Sequence, residues 1–106
     1  MIASTYASNY FNEDITVDDL HDSLATLSTY LSSEIWVMNT DGDILINSNA
    51  SVDMDHLTHI DGFNVADFGS KYYTTGSFYN YYDDTHLTVF SPITINYKVR
   101  GYVLIH

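Results

Sequence analysis

Two imidazoles three residues apart, His56 and His59, sit among Asp53, Asp55 and Asp61. On a helical turn, positions i and i+3 share a face. This spacing can present two nitrogen ligands together, with carboxylates such as Asp61 completing a tetrahedral or octahedral set around a divalent cation. The alternative is a polar loop in an acid-rich chain, where such neighbours arise by chance. A second group is aromatic: Tyr72, Tyr73, Phe78, Tyr79 and Tyr102. Rings at this density either wall a small-ligand pocket, with hydroxyls orienting the ligand, or fill sheet and core. Arg100, two residues before Tyr102, either forks onto an anionic ligand group or pairs with a local Asp.

Catalytic patterns are sparse. Asn39, Asp41 and Asp43 start like an EF-hand loop, but Ile44 stands where the turn glycine belongs and Ala50 where the bidentate glutamate belongs. There is no Walker loop, no G-x-G-x-x-G and no H-E-x-x-H, and neither "FGSKY" nor "TGSFY" supplies a G-x-S-x-G elbow. The sequence therefore reads as non-enzymatic. It implies no cofactor, with a divalent cation at His56, His59 and Asp61 as the one candidate.

Charge narrows the partners. The 106 residues carry a formal charge of -11, and positions 1–70 hold twelve of the fourteen acids and neither Lys nor Arg. Phosphate binding needs a basic surface, so nucleic acid is excluded and an anionic membrane face is disfavoured. Cations, cationic peptides and small neutral solutes remain. With no cysteine, disulfides, thiol nucleophiles and Cys-ligated zinc are excluded too. No apolar run approaches the ~20 residues that span a bilayer, and "MIASTYASNY" has no basic region ahead of an apolar one.

The elements that must position these residues follow from periodicity. Leu20, Leu24, Leu27 and Leu31 recur at helical spacing behind Thr16 and Asp19, which resemble a capping box. Ile2, Tyr6 and Tyr10 predict an earlier helix, with "NED" at 12–14 as a break. From Ser33 the period becomes two: "EIWVMN" and "DILINS" flank "TDG", a hairpin signal, and both faces of the first strand are apolar. Residues 49–70 are irregular, with one helical turn predicted near "VDMDHLTHI". Three strand-like runs follow: "KYYTTGSFYNYY", "HLTVFSPI" with Pro92 ending or edging it, and "KVRGYVLI". In the last run, alternation places Val99, Gly101, Val103 and Ile105 on one face. Lys98, Arg100, Tyr102 and Leu104 take the other, with Gly101 admitting a close neighbour such as the amphipathic helix.

The runs "SEIWVMNTDGDILINS" and "YYTTGSFYNYYDDTHLTVFSPITINYKVRGYVLIH" resemble the extracytoplasmic PAS-like (PDC, or single-Cache) sensor domain of bacterial membrane histidine kinases. The carriers are the aromatic-apolar strand ending in "TDG", the "TGSF" run, "SPI" before a short turn, and "GYVLIH". The likeness covers about residues 15–106. It implies an α+β fold: a five-stranded antiparallel sheet, N-terminal helices on one face, and loops enclosing a pocket on the other. One domain would span 1–106, with 1–14 as a helix or linker from a membrane span and the parent chain anchored in the membrane at both ends. Nothing resembles a phosphoacceptor or ATP-binding motif, so kinase activity would lie elsewhere in the parent.

Three readings follow. In the first, the domain senses a small ligand or cation through Tyr72, Tyr73, Phe78, Tyr79, Arg100 and Tyr102 and relays its state through the terminal helix and strand, as a homodimer through the N-terminal helices. In the second it is a ligand-free dimerisation and relay module of a membrane receptor. In the third it is a small α+β enzyme, which would need a buried carboxylate beside a tyrosine hydroxyl.

Overall fold

A computed structural model describes residues 2–69 and 71–106; Met1, within the expected 1–14 segment, and Ser70 lie outside the described residues. Two helices precede the sheet. α1 (Ile2–Phe11) buries Ala3 and Ala7, while Tyr6 and Tyr10 flank the contact and Ile2 is exposed. The buried stripe is thus the small-residue one, which lets α1 lie close to the strands. Glu13, at φ 64°, marks the break before the next helix.

α2 (Val17–Leu31) begins where the sequence predicts, with the Thr16 hydroxyl accepting from Asp19 N at 3.1 Å. Leu20 and Leu24 are fully buried and Leu27 partly. Leu31 departs from the stripe at 45% exposure, because the helix ends at once in a left-handed Ser32.

The strands are β1 (Ile35–Asn39), β2 (Asp43–Asn47), β3 (Thr58–His59), β4 (Tyr73–Gly76), β5 (His86–Ile95) and β6 (Lys98–Ile105). They form one antiparallel sheet in the order β3-β2-β1-β6-β5-β4. The fold is α+β, as expected. The sheet has six strands where five were expected, because Thr58 and His59 add a short edge to β2.

That edge replaces the helical turn predicted near 52–60. The run "KYYTTGSFYNYY" is also strand only as far as Gly76. Phe78, Tyr79 and Asn80 then take left-handed backbone angles (φ 51°, 55° and 64°) and fold back over the sheet. Pro92 does not end β5. It lies inside the strand beyond the residues that pair with β4, where β5 is an edge and needs no donor on that side.

β1 is apolar on both sides and the sheet is covered on both, as expected. Ile35, Val37, Ile46, Ile93 and Val103 pack under the helices. Trp36, Met38, Ile44, Phe90, Tyr102 and Leu104 meet Ile60, Phe68 and Phe78 on the opposite face. Two bulges arrange this. Leu45 is extra between the pairs Val37–Ile46 and Met38–Ile44, so Ile44 and Ile46 serve opposite faces. Arg100 is extra between Ile93–Gly101 and Thr94–Val99. It therefore leaves the face of Tyr102 and joins the helix side, its guanidinium 6.0 Å from the Phe11 ring centroid.

Candidate functional site

The second sheet face is roofed by two segments. The first leaves β3 through Ile60, whose N–H donates to Gly42 O at 2.9 Å, and continues into a 3-10 turn, Val65–Phe68. The Asn64 side chain starts that turn by accepting from Ala66 N at 2.9 Å. Phe68 is thereby driven inward against Phe90, centroids 4.2 Å apart. The second roof segment is the left-handed run 78–80, closed by Tyr82 N donating to Ser77 O at 3.1 Å.

Between the roof segments and β4 lies a cleft of about 280 Å³, lined by Asp67, Phe68, Phe78, Tyr79, Asn80 and residues 74–77. Asp67 is its one charged lining residue. The Tyr79 hydroxyl donates to Asp67 Oδ2 at 2.7 Å and lies 3.3 Å from the Asn64 carbonyl oxygen, tying the two roof segments together. Burial, and then the Asp67 bond, raise the Tyr79 phenol above its ordinary pKa, so it acts here as a donor. Bulky residues rarely hold left-handed angles, which cost roughly 1–2 kcal/mol each. Phe78 and Tyr79 both do so at the lip of the cleft. Chemically, the cleft offers a carboxylate, a phenol, small hydroxyls and aromatic walls. That set suits a cation or amine with a small apolar body.

The expected aromatic set is split. Phe78, Tyr79 and Tyr102 come together around Phe63, at centroid distances of 6.4, 5.8 and 5.7 Å. Only Phe78 and Tyr79 reach the cleft, since Tyr102 is core. Tyr72 is 64% exposed and rests on Phe90. Tyr73 pairs with Val89 on the helix-side face, with Lys71 over its ring.

Arg100 is on the helix side and is not part of this group. Among the described residues no carboxylate lies within ion-pair distance of it, so the expected Asp partner is absent as well.

The expected metal set does not assemble. With no helix there, His56 Nδ1 turns to Asp53 (3.2 Å) and His59 Nδ1 to Asp43 (2.8 Å), while Asp61 lies 3.9 Å from His59 Nε2. The His59 bond, then one from Asn39, holds the Asp43 carboxyl below the usual carboxylate range. Among the described residues, no three His, Asp or Glu side chains converge on a metal position.

Sequence reasoning missed Asp67, because a carboxylate and a tyrosine twelve positions apart show no spacing signal. It also missed Glu34. That side chain accepts from Trp36 Nε1 at 2.6 Å, from the Tyr82 hydroxyl, and from Asn49 Nδ2 at 3.0 Å. Burial first, and then the Glu34 carboxylate, push the Tyr82 phenol far above its ordinary pKa.

No helix among the described residues is long and apolar enough to cross a membrane. No protein-family model matches the chain, no curated protein matches it, and no solved structure matches it.

Proposed function

We propose that this chain is an extracytoplasmic PAS-like (PDC, or single-Cache) sensor domain of a bacterial membrane histidine kinase, which binds a small cationic or amine-bearing ligand in the Asp67–Tyr79 cleft. The observation that carries this reading is the division of labour between the two sheet faces. Helices cover one, and a cleft with a single carboxylate opens on the other. The central strand β6 serves both: Val103 lies under the helices, while Tyr102 and Leu104 face the roof. A ligand that favours one roof position has a short route through β6 to α1 and α2. Such a relay needs differential affinity for two states, about 5.5 kcal/mol for a full 1:99 to 99:1 switch.

The test is a thermal-shift panel of amino acids, primary amines, diamines, quaternary ammonium compounds, divalent cations and cationic peptides. An amine or cation raises Tm, and Asp67→Asn abolishes the rise without lowering the unliganded Tm by more than a few degrees. A flat response across the panel, or a response that Asp67→Asn leaves intact, overturns the reading.

The ligand-free dimerisation and relay reading is favoured by one observation. At the C-terminal end of α2, Tyr30 and Leu31 are exposed and unused by the core. Light scattering on the wild type and on Leu31→Glu decides it. A dimer that Leu31→Glu breaks supports it, and a wild-type monomer removes it.

A further inference from the structure

His86 opens β5 and His106 follows β6, and the pairing of Val89 with Ile105 brings the two imidazoles together from positions twenty residues apart. His86 Nε2 and His106 Nδ1 are 3.0 Å apart. The Thr88 hydroxyl completes a triangle, 2.8 Å from His106 Nδ1 and 3.4 Å from His86 Nε2. Ligands bonded at about 2.0–2.1 Å lie roughly 2.9 Å apart when at right angles on a square-planar or tetragonal ion and roughly 3.4 Å apart on a tetrahedral one, so these edges are of that size.

The setting holds the rings in place. His106 is packed by Trp36, Phe78 and Tyr82 at centroid distances of 4.1, 5.1 and 5.1 Å, and His86 meets Tyr82 edge-on at 4.4 Å. Without metal, the 3.0 Å contact needs a proton on one of the two facing nitrogens. A bound ion replaces that proton, which moves to an outer nitrogen, for His86 to Nδ1, with Asp84 Oδ1 4.0 Å away. His106 Nε2 is buried among the rings with no hydrogen-bond partner, so a proton on it leaves Nδ1 as the ligand atom. A cleft of about 250 Å³, lined by Glu34, Tyr82, Asp84, His86 and His106, gives access. It shares no lining residue with the Asp67–Tyr79 cleft, so this site does not rest on the amine reading.

We propose that His86 Nε2 and His106 Nδ1 chelate a borderline divalent transition-metal ion, with the Thr88 hydroxyl as a weaker third donor and water at the open side. Imidazole suits copper, nickel and zinc, and a site with few protein ligands holds Cu2+ most tightly of these. Binding would pin the start of β5 to the end of β6, beside the Glu34–Trp36 pair.

The experiment titrates the metal-stripped 106-residue chain with Cu2+ by calorimetry and follows the spin resonance of the bound ion. The expected result is one equivalent bound with nitrogen hyperfine structure. Affinity falls by about tenfold or more in His86→Gln and in His106→Gln, and stays unchanged in the His56→Gln, His59→Gln double variant. If circular dichroism shows that His106→Gln does not fold, His86→Gln decides, since that side chain keeps 22% exposure. Failure to bind Cu2+, unchanged affinity in His86→Gln, or loss of binding in the His56, His59 variant overturns the site.

Discussion

The Phe11 ring at the end of α1 closes directly over the backbone of Gly101 in the central strand. A methyl group at Gly101 would lie 2.9 Å from Phe11 Cζ and collide with the Met38 carbonyl oxygen. This contact seats the first helix on the sheet, and Gly101 faces it in phase with Val103. The Arg100 guanidinium lies over the same ring, 6.0 Å from its centroid.

Gly101→Ala should therefore destabilise the domain by about 1–3 kcal/mol, the usual cost of forcing atoms into a packed interface. For a domain of this size, Tm should fall by about 4–8 °C for each kcal/mol. Adding Phe11→Ala should not restore it, because the Met38 carbonyl is backbone and cannot yield. Thermal denaturation of the single and double variants checks both statements, and full rescue by Phe11→Ala would contradict them.

The β5–β6 turn predicts the opposite sign. Asn96 and Tyr97 both have positive φ (52° and 64°), the geometry of a type I′ turn, and Tyr97 is fully exposed at 104%. Its ring gains nothing from packing, while its backbone bears the left-handed penalty. Tyr97→Gly creates the favoured Asn-Gly pair and should stabilise the domain by about 0.5–1 kcal/mol after the added chain entropy of glycine. A rise of a few degrees in Tm is the expected reading.

The legible parts of this fold are the ones with a short period. Asp41-Gly42 between apolar runs marked the β1–β2 hairpin, and Gly42 has the positive φ (91°) that the turn requires. Leu20 and Leu24 marked the buried face of α2, and alternating apolar pairs in "IWVM" marked a strand covered on both sides. What period cannot carry is a one-residue insertion. The bulge at Arg100 reverses its face while leaving the run looking regular. Nor can β propensity register the left-handed turn at Phe78–Asn80, since its Phe and Tyr residues score as strand formers. The pairs Asp67–Tyr79 and His86–His106 arise from tertiary folding, so spacing along the chain held no trace of either.

Glu34 is the hub of the polar network beside the fully buried Trp36. Glu34→Ala strands the indole N–H and the Tyr82 hydroxyl without their acceptor. Leaving a buried donor unpaired costs about 1–3 kcal/mol. Glu34→Gln keeps an acceptor oxygen and should lose less. Trp36 is the sole tryptophan, so urea titration followed by its fluorescence reads the network directly. Equal losses in the two variants would show that the acceptor is not what matters.

Acid should destabilise the metal-free domain through His106. Burial first, and then the nearby His86 charge, lower its pKa from 6.5 to about 4, with Glu34 opposing. The groups facing the ring include His86, Glu34 and Tyr82, with Thr88 as its neutral hydrogen-bond partner. The folded chain keeps His106 neutral down to about pH 4, whereas the unfolded chain takes up a proton near pH 6.5. Between those values the unfolded state binds more protons, so stability falls as pH drops through the window and levels off below it. The difference sets an upper limit of about 3 kcal/mol, reduced by the ring's partial access to water. His106→Phe keeps the aromatic packing and removes the titration, and should flatten the stability profile between pH 6.5 and 4 in urea titrations run with EDTA. A profile equally steep in His106→Phe would assign the acid sensitivity to other groups.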